Sequence, residues 1–498
     1  MSIRHKSVRG SLMLTFGEGV IYGSSFIRNM ILARMLTKAD FGIAAAFSMI
    51  ITLLEFSAKL GISRFVIRDK EGDQPDFLAA AHFIQAMAAV LSSLLMVAFA
   101  WPIARLFGIG DQVGALLVLS AIPLLNGITH LDVKRFEREL RFGPSVWVEM
   151  APQIAITLAA WPVAKWLGDY RAVLLLLVIK AVCSCLGSHF LSEQPYRWRV
   201  HREYVIRMLR FGWPLVVTGF LMFGVLQGDQ FLVASFYSMA DLAPYAGAAA
   251  LTMAPSFFFG RVFNSVALPV MAKVQDDPLR FRRHYRLIIA IICAFSAAYS
   301  VGMIIGAEAL MRCVYGSKYA GAGVILAWLA AANAFRNIRI APAIAAMARG
   351  DSQNQMVSNL ARVVALLPAF AVALARQPVW VIACSGLLGE ALACAVSFRR
   401  LSNCHGVPLA CSLRPTALVT AVVLTAGAAG YLGLQYLQPV LSLSLAAFGA
   451  LVGGLSVIWL LPDSRVEAIR LWSDVRRAGF RGFLPLIRGG GIASKTAA

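Results

Sequence analysis

Charged side chains inside long apolar stretches are the residues of this sequence best placed to do chemistry. A charge at the centre of a bilayer costs about 2.5–3.5 kcal/mol, so each is expected to face the interior of a helix bundle or a water-filled cavity rather than lipid. The residues concerned are Glu18, Arg28, Glu55, Lys59, Glu149, Lys180, Asp229, Arg261, Arg336, Arg339, Arg362 and Glu390. A polar cavity inside a membrane-embedded bundle accounts for so many of them.

The arginines of the second half outnumber the acids near them. Arg336 and Arg339 are three residues apart, so they share a helix face on which like charges repel. Arg261 and Arg362 add two further positive charges to the same half. This surplus fits an anionic ligand such as phosphate, which guanidinium groups bind through paired donors. The alternative is a network in which the protein's own carboxylates saturate the arginines, and the sequence leaves both interpretations open.

The acids of the second half have two interpretations. Asp229 follows Gly224 and Gly228 in an apolar run, and Glu390 lies in a later one. Both are predicted to balance arginines or to take up a coupling ion, H⁺ or Na⁺, since a carboxylate in a partly dry cavity can cycle protons. Lys180 either pairs with a neighbouring helix or joins the cationic site. No catalytic group, metal site or bound cofactor is predicted, because the cysteines and histidines lack ligand spacing.

The composition predicts that most of the chain is embedded in a membrane. Of its 498 residues, 59% are hydrophobic and 14% are charged, whereas soluble domains have about half and about a quarter. The net charge of +21 arises from basic loops on one membrane face. Nucleic acid is excluded as a partner because no basic and aromatic module lies outside the apolar stretches.

Apolar segments of roughly 20 residues recur along the chain, and each is a predicted membrane helix. Fourteen are predicted, at about 12–33, 41–63, 77–100, 113–131, 143–166, 172–191, 211–236, 243–270, 287–311, 321–346, 354–375, 378–398, 415–436 and 440–461. With the N-terminus inside, Lys and Arg concentrate in the cytoplasmic loops, as the positive-inside rule requires. The expected fold is an all-α integral membrane protein with both termini in the cytoplasm.

The two halves of the chain begin with the same pattern of a Phe-Gly pair, a long apolar helix and an Ala-Asp turn. Residues 16–17 and 39–40 carry it in the first half, and residues 211–212 and 240–241 in the second. Duplicated membrane folds place their site between the halves, near the midplane. The predicted domains are 1–203 (first lobe, helices 1–6), 204–403 (second lobe, helices 7–12), 404–464 (helices 13 and 14) and 465–498 (basic amphipathic segment on the inner leaflet).

Five stretches resemble the polysaccharide transporter family of the multidrug/oligosaccharidyl-lipid/polysaccharide flippase superfamily, which contains the Wzx-like flippases. They are ILARMLTKADFGIAAA (31–46), LGISRFVIR (60–68), LRFGWPL (209–215), DQFLVASFYSMADLAPYAGAAAL (229–251) and VYGSKYAGAGVILAWL (314–329). In order and spacing they cover about residues 8–405. One departure is Ala243-Pro244-Tyr245, where family members tend to have glycine before the aromatic residue.

The resemblance implies two pseudo-symmetric six-helix lobes around a central cavity, two further helices, and alternating access. It implies that the cargo is an oligosaccharide on an undecaprenyl diphosphate carrier, moved to the periplasmic leaflet of the bacterial inner membrane. A polysaccharide polymerase and a chain-length regulator are the implied protein partners. Arg28 matches the basic residue that the family tends to place in the first helix, facing the cavity.

Two alternatives belong to other functional classes. An ion-coupled exporter of drugs or cations from the same superfamily would favour an acidic cavity, whereas this chain has a surplus of buried arginines. A membrane polymerase or ligase of polysaccharide chains would need a sizeable outer loop to hold the acceptor, and the predicted outer loops are short turns. We therefore expect a flippase and not an enzyme.

Overall fold

The computed structural model describes residues 3–58, 61–431, 433, 438–461 and 465. These residues form twenty α-helices and two short 3₁₀-helices, and no β-strand occurs among them. The α-helices are α1 (Ile3–Met35), α2 (Lys38–Ala58), α3 (Ile62–Arg68), α4 (Pro75–Leu106), α5 (Val113–Leu119), α6 (Ala121–Gly127), α7 (Asp132–Arg138), α8 (Gly143–Leu167), α9 (Arg171–Phe190), α10 (Arg202–Phe236), α11 (Met239–Ala272), α12 (Pro278–Ile305), α13 (Ala307–Tyr315), α14 (Gly323–Ile338), α15 (Ile340–Ala348), α16 (Gln353–Val364), α17 (Leu366–Leu374), α18 (Val379–His405), α19 (Ala410–Tyr431) and α20 (Pro439–Leu460).

Twelve helical segments of the described residues are long and apolar enough to cross a membrane. A thirteenth is present if 110–127 and 132–138, which are bent by 48°, form one span. The predicted first span lies within α1, which is not among the twelve and carries Glu18 and Arg28 between its ends. The prediction of an all-helical membrane protein is confirmed, whereas the count of fourteen spans is not.

The two Ala-Asp turns fold in the same way. α1 ends at Met35 and α10 ends at Phe236, and two residues after each helix comes a hydroxyl that caps the next one. The Thr37 hydroxyl accepts a hydrogen bond from the Asp40 amide at 3.1 Å, and Ser238 with Asp241 forms a complete capping box at the start of α11. Such side chains satisfy the free amide groups of a helix N-terminus, so the repeated sequence pattern produces a repeated turn.

Two predicted spans of the second half are broken near their middle. The segment 323–348 divides at Arg339 into α14 and α15, and the segment 353–374 divides at Ala365 into α16 and α17. Membrane helices tolerate such breaks where neighbouring helices and polar side chains satisfy the freed backbone groups. Both breaks lie beside the arginines that the sequence singles out.

Buried hydrophobic residues form one continuous cluster at the end of the molecule where α1 leads into α2 and α10 leads into α11. Leu32 and Phe47 of the first half belong to it, as do Tyr245, Tyr315 and Leu326 of the second. Helices of both halves therefore share a core at this end, which we call the joined face.

At the opposite end, which we call the split face, the buried residues form separate clusters. One contains Ile62 and Phe77 of the first half together with Tyr204 and Met208 from the start of α10. The other lies wholly in the second half and the helices that follow it. Among the described residues, the first half therefore shares a hydrophobic cluster with the start of α10 at the split face, whereas several helices of both halves share one core at the joined face.

The last two helices attach to the second half through α12. The Tyr285 hydroxyl lies 2.6 Å from the Ser412 hydroxyl of α19, and the Ser442 hydroxyl of α20 donates to the Ile305 carbonyl at 3.3 Å.

The domain boundaries drawn from the sequence stay predictions. The predicted amphipathic segment 465–498 lies outside the described residues apart from its first residue.

Candidate functional site

A cavity of about 190 Å³ lies between the two halves of the chain. Helices α1, α2 and α9 of the first half and α10 and α11 of the second form most of its wall, and its polar side chains are Arg28, Asn29, Ser48, Thr52, Gln227, Gln230 and Tyr315. Pockets that enclose drug-sized ligands measure roughly 300–1,000 Å³. In this conformation the cavity therefore holds only part of a larger ligand.

Arg28 is the charged residue of this cavity wall. It lies on α1, its side chain is half-buried, and its Nη2 donates to the Asn29 carboxamide oxygen at 3.3 Å. No ion pair of the described residues includes it, and no carboxylate lines the cavity among them. An unpaired guanidinium group in a membrane bundle is costly, and an anionic ligand in the cavity would offset that cost with paired hydrogen bonds.

Three of the other predicted arginines form a buried cluster around Glu390 of α18, which is 0% exposed. Arg336 Nη2 lies 2.7 Å and Arg362 Nε 3.1 Å from Glu390 Oε1. Arg339 Nη2 approaches Glu390 Oε2 at 3.6 Å. Arg362 also reaches Asp229 of α10, with Nη2 3.6 Å from Oδ2. Three positive and two negative side chains from four membrane segments therefore meet inside the second half.

Small residues allow the helices to approach closely at this cluster. A Cβ atom added to Gly389 would lie 3.1 Å from Arg362 Cδ and 2.9 Å from Ala365 Cβ. A Cβ atom on Gly228 would meet Leu366 Cδ1 at 2.5 Å. The glycines thus bring α10 and α18 against the broken pair α16–α17.

None of the five charged residues of the cluster lines the central cavity. Beside the cluster lies a pocket of about 10 Å³, lined by Asp229, Tyr245, Arg336 and Arg362 among others, which is room for about one water molecule. The Tyr245 hydroxyl donates to Asp229 Oδ2 at 3.1 Å. Gln230 lines both the pocket and the cavity. This geometry corresponds to the alternative in which the protein's own carboxylates pair with the arginines. The cluster has three positive and two negative side chains, so one positive charge is in excess.

Arg261 and Lys180 lie outside the cavity wall. Arg261, on α11, pairs with Glu18 of α1 across the two halves. It is eight residues beyond the cavity-lining Met253, about 12 Å along the helix. Lys180 follows the cavity-lining Leu177 by one turn of α9. The Glu18–Arg261 pair therefore links the halves on the side of the cavity toward the split face.

The structure divides the predicted site residues into groups. Arg28 is in the cavity, whereas Asp229, Arg336, Arg339, Arg362 and Glu390 meet in the buried cluster, and their roles in binding stay predictions.

The uncharged polar residues of the cavity wall were not predicted from the sequence, because the prediction rested only on charges inside apolar runs. The signal was present, since Gln227 and Gln230 interrupt the same run as Asp229. Lys59, one of the charges that the sequence places in an apolar stretch, lies outside the described residues.

A family model described as "Polysaccharide biosynthesis protein" matches residues 31–323, which is more than half of the chain. The chain belongs to this family. The family resemblance drawn from the sequence is therefore confirmed, and with it the expectation of a transporter of the flippase superfamily rather than an enzyme. The chain is a multi-pass membrane protein of a bacterial polysaccharide export family.

Two curated relatives are similar over much of the chain. The succinoglycan biosynthesis transport protein ExoT of Rhizobium meliloti (strain 1021) is 22% identical over 315 residues, 62% of each chain. The lipopolysaccharide biosynthesis protein WzxC of Escherichia coli (strain K12) is 21% identical over 348 residues, 68% of this chain and 69% of that protein. The matched region thus spans just under two thirds of ExoT and just over two thirds of WzxC.

Two solved structures share the fold of this family member. The lipid II flippase MurJ, in an inward closed conformation, has a TM-score of 0.68 at 14% identity, covering 91% of this chain and 99% of that one. A multidrug resistance MATE transporter, inward-facing, has a TM-score of 0.59 at 14% identity, covering 81% and 94%. At such identities the likeness establishes the architecture, which flippases and drug exporters share.

Proposed function

We propose that this protein is a flippase that moves a lipid-linked oligosaccharide repeat unit from the cytoplasmic to the periplasmic leaflet of a bacterial inner membrane. The carrier is of the undecaprenyl diphosphate type, and the polymer is an exopolysaccharide, a capsule or a lipopolysaccharide. Transport proceeds by alternating access, with the polar head of the cargo inside the central cavity and its lipid tail in the bilayer. Both termini lie in the cytoplasm, so the joined face is periplasmic.

The observation that carries this proposal is the unpaired Arg28 in the wall of the cavity between the halves. A diphosphate presents several oxygen acceptors to a guanidinium group, which binds them through paired donors. The amides of Asn29, Gln227 and Gln230 both donate and accept hydrogen bonds, as sugar hydroxyl groups require. The names of ExoT and WzxC, with the flippase fold, support a cargo from polysaccharide synthesis.

The cavity favours this cargo over a cationic drug. An exporter of cations is expected to line its path with carboxylates, because an opposite charge offsets the loss of hydration. The cavity wall carries a cation and, among the described residues, no carboxylate. The carboxylates of the second half are engaged with arginines instead, as the distances to Glu390 indicate.

We also propose that Asp229 and Glu390 act as counter-charges rather than as ligands of a coupling ion. Arg362 contacts both carboxylates, at 3.6 Å and 3.1 Å. A guanidinium group in that position supplies the positive charge that H⁺ or Na⁺ would otherwise bring. The cluster then serves to hold α10, α16 and α18 together as one rigid unit during transport.

Polymer production in cells tests the flippase proposal. Cells that lack their own copy of the gene would receive Arg28→Gln, and Arg171→Gln would serve as a matched control because Arg171 is exposed and pairs with Asp169 at 3.6 Å. We expect Arg28→Gln to stop polymer export while the protein remains in the membrane and lipid-linked repeat units accumulate. Normal polymer yield from Arg28→Gln would refute the assignment of Arg28 as the group that binds the diphosphate of the cargo.

A further inference from the structure

The end of the first helix is bonded to the opposite half of the protein through Arg34. Its Nε donates to the Val314 carbonyl at 2.9 Å, and its Nη2 donates to the Cys313 carbonyl. Both carbonyls belong to the last turn of α13, which ends at Tyr315. Carbonyl groups there have no partner within their own helix, so Arg34 of the first half caps a helix of the second.

Lys318 makes the reciprocal contact. Its Nζ donates to the Arg34 carbonyl at 3.2 Å and to the Leu36 carbonyl. These two carbonyls flank Met35, the last residue of α1. A cation at this position also interacts favourably with the negative end of the helix dipole. Each half therefore supplies one cation that caps the C-terminus of a helix in the other.

The two caps are continuous with an aromatic contact between the halves. Phe41 of α2 lies against Tyr315 and Tyr319, with ring centroids 6.5 Å and 6.3 Å apart. Tyr315 and Tyr319 are fully buried, and the Tyr315 hydroxyl donates to the Gly247 carbonyl at 3.0 Å. Because Phe41 and Tyr315 line the central cavity, this contact forms the cavity's wall toward the joined face.

We infer that Arg34 and Lys318 form a latch that closes the central cavity at the joined face. The inference rests on the proposed alternating access: in the opposite state the two halves separate here, and all four side-chain to carbonyl hydrogen bonds break together. Both cations then return to water, while the helix ends they cap become hydrated. The latch therefore sets the balance between the closed and open states without contacting the cargo.

Labelling of a cysteine in the cavity tests the latch without any cargo. The eight natural cysteines would be replaced, and Ala250→Cys would place one thiol in the cavity wall. A charged, membrane-impermeant thiol reagent would then be applied to either side of sealed vesicles. A separate variant, Ser317→Cys, is exposed beside the latch and identifies the side of the membrane that the joined face meets.

Weakening the latch should expose the cavity from that side. Arg34→Gln and Lys318→Met should each raise the labelling rate of the Ala250→Cys thiol about tenfold, as expected when a hydrogen bond to a charged group is lost. Arg312→Gln is the matched control, because Arg312 lies on the same segment but pairs within its own half, with Glu308 at 2.6 Å. Labelling that stays at the starting rate in both variants, or that rises equally with Arg312→Gln, would overturn the latch.

A cross-link provides the converse measurement. A disulfide between Arg34→Cys and Val314→Cys, formed in the folded protein, should hold the joined face closed, prevent labelling from that side and stop polymer export until a reductant is added. Labelling from that side that persists with the cross-link in place would overturn the latch, whereas polymer export that continues while labelling is prevented would reject the flippase proposal instead. If labelling in vesicles follows the prediction but Arg28→Gln leaves polymer export in cells unaffected, the latch is supported and the role of Arg28 in binding the cargo is rejected.

Discussion

Arg28 and Asp229 occupy the same position in the two repeats of the chain. Each lies seven residues before the end of its helix, α1 ending at Met35 and α10 at Phe236, and each helix is followed by a capped turn. The two side chains have opposite charges and different surroundings. Asp229 is bonded to Tyr245 and faces Arg362, whereas Arg28 faces the cavity. The duplication thus provides one position that belongs to a buried ion-pair cluster in one half and lines the cavity in the other, where we propose that it binds the cargo.

Asp229→Asn should destabilise the protein whatever ions are present. It removes one of two carboxylates that balance three buried arginines, and breaking a buried ion pair costs about 3–5 kcal/mol. We expect a lower melting temperature in detergent, with the same decrease in sodium and in potassium. If the melting temperature of the wild type rises with added sodium and that of Asp229→Asn does not, Asp229 binds a coupling ion instead.

Glu390→Gln should have a larger effect than Asp229→Asn, because Glu390 contacts three arginines and is completely buried. We expect little folded protein in the membrane, measured by size-exclusion chromatography of a fluorescent fusion. The double change Glu390→Gln with Arg336→Met should recover part of the yield, since it removes one of the unbalanced cations. Full yield of the single variant would mean that the cluster is balanced by a bound anion.

Gly389→Ala should destabilise the second half. The added methyl group would lie 2.9 Å from Ala365 Cβ and 3.1 Å from Arg362 Cδ, and overpacking of this kind costs about 1–3 kcal/mol. Gly427→Ala on α19 is the control, because a Cβ atom there meets nothing within 4 Å. In a thermal unfolding measurement, Gly389→Ala should have a lower melting temperature than Gly427→Ala. Equal melting temperatures would show that α16 and α18 can move apart at no cost.

Gln227→Leu with Gln230→Leu should reduce transport without unfolding the protein. The two amides line the cavity, and Gln227 Oε1 is a buried oxygen with no hydrogen-bond partner in the structure. An apolar replacement leaves sugar hydroxyl groups unpaired, at about 1–3 kcal/mol each. Polymer yield should fall at unchanged protein level. An unchanged yield would place the sugar elsewhere.

The sequence predicted the helices more fully than it predicted the site. Apolar length alone located the twelve spans found among the described residues, although not the full count of fourteen, and the repeated turns at Asp40 and Asp241 follow from local capping chemistry. The contacts among buried charges were not predictable, because Glu390 meets Arg336 only when α14 and α18 pack side by side. Arg28 was predicted to face the cavity from the family resemblance rather than from its spacing.

Binding of a purified lipid-linked diphosphate sugar tests the central claim most directly. Wild type and Arg28→Gln would be compared in lipid nanodiscs, using a short-chain polyprenyl diphosphate carrying one sugar. We expect the variant to bind about ten- to hundredfold more weakly, the loss of one hydrogen-bonded charge, with an unchanged melting temperature. Equal affinity of the two proteins would contradict the assignment of Arg28 as the group that binds the diphosphate.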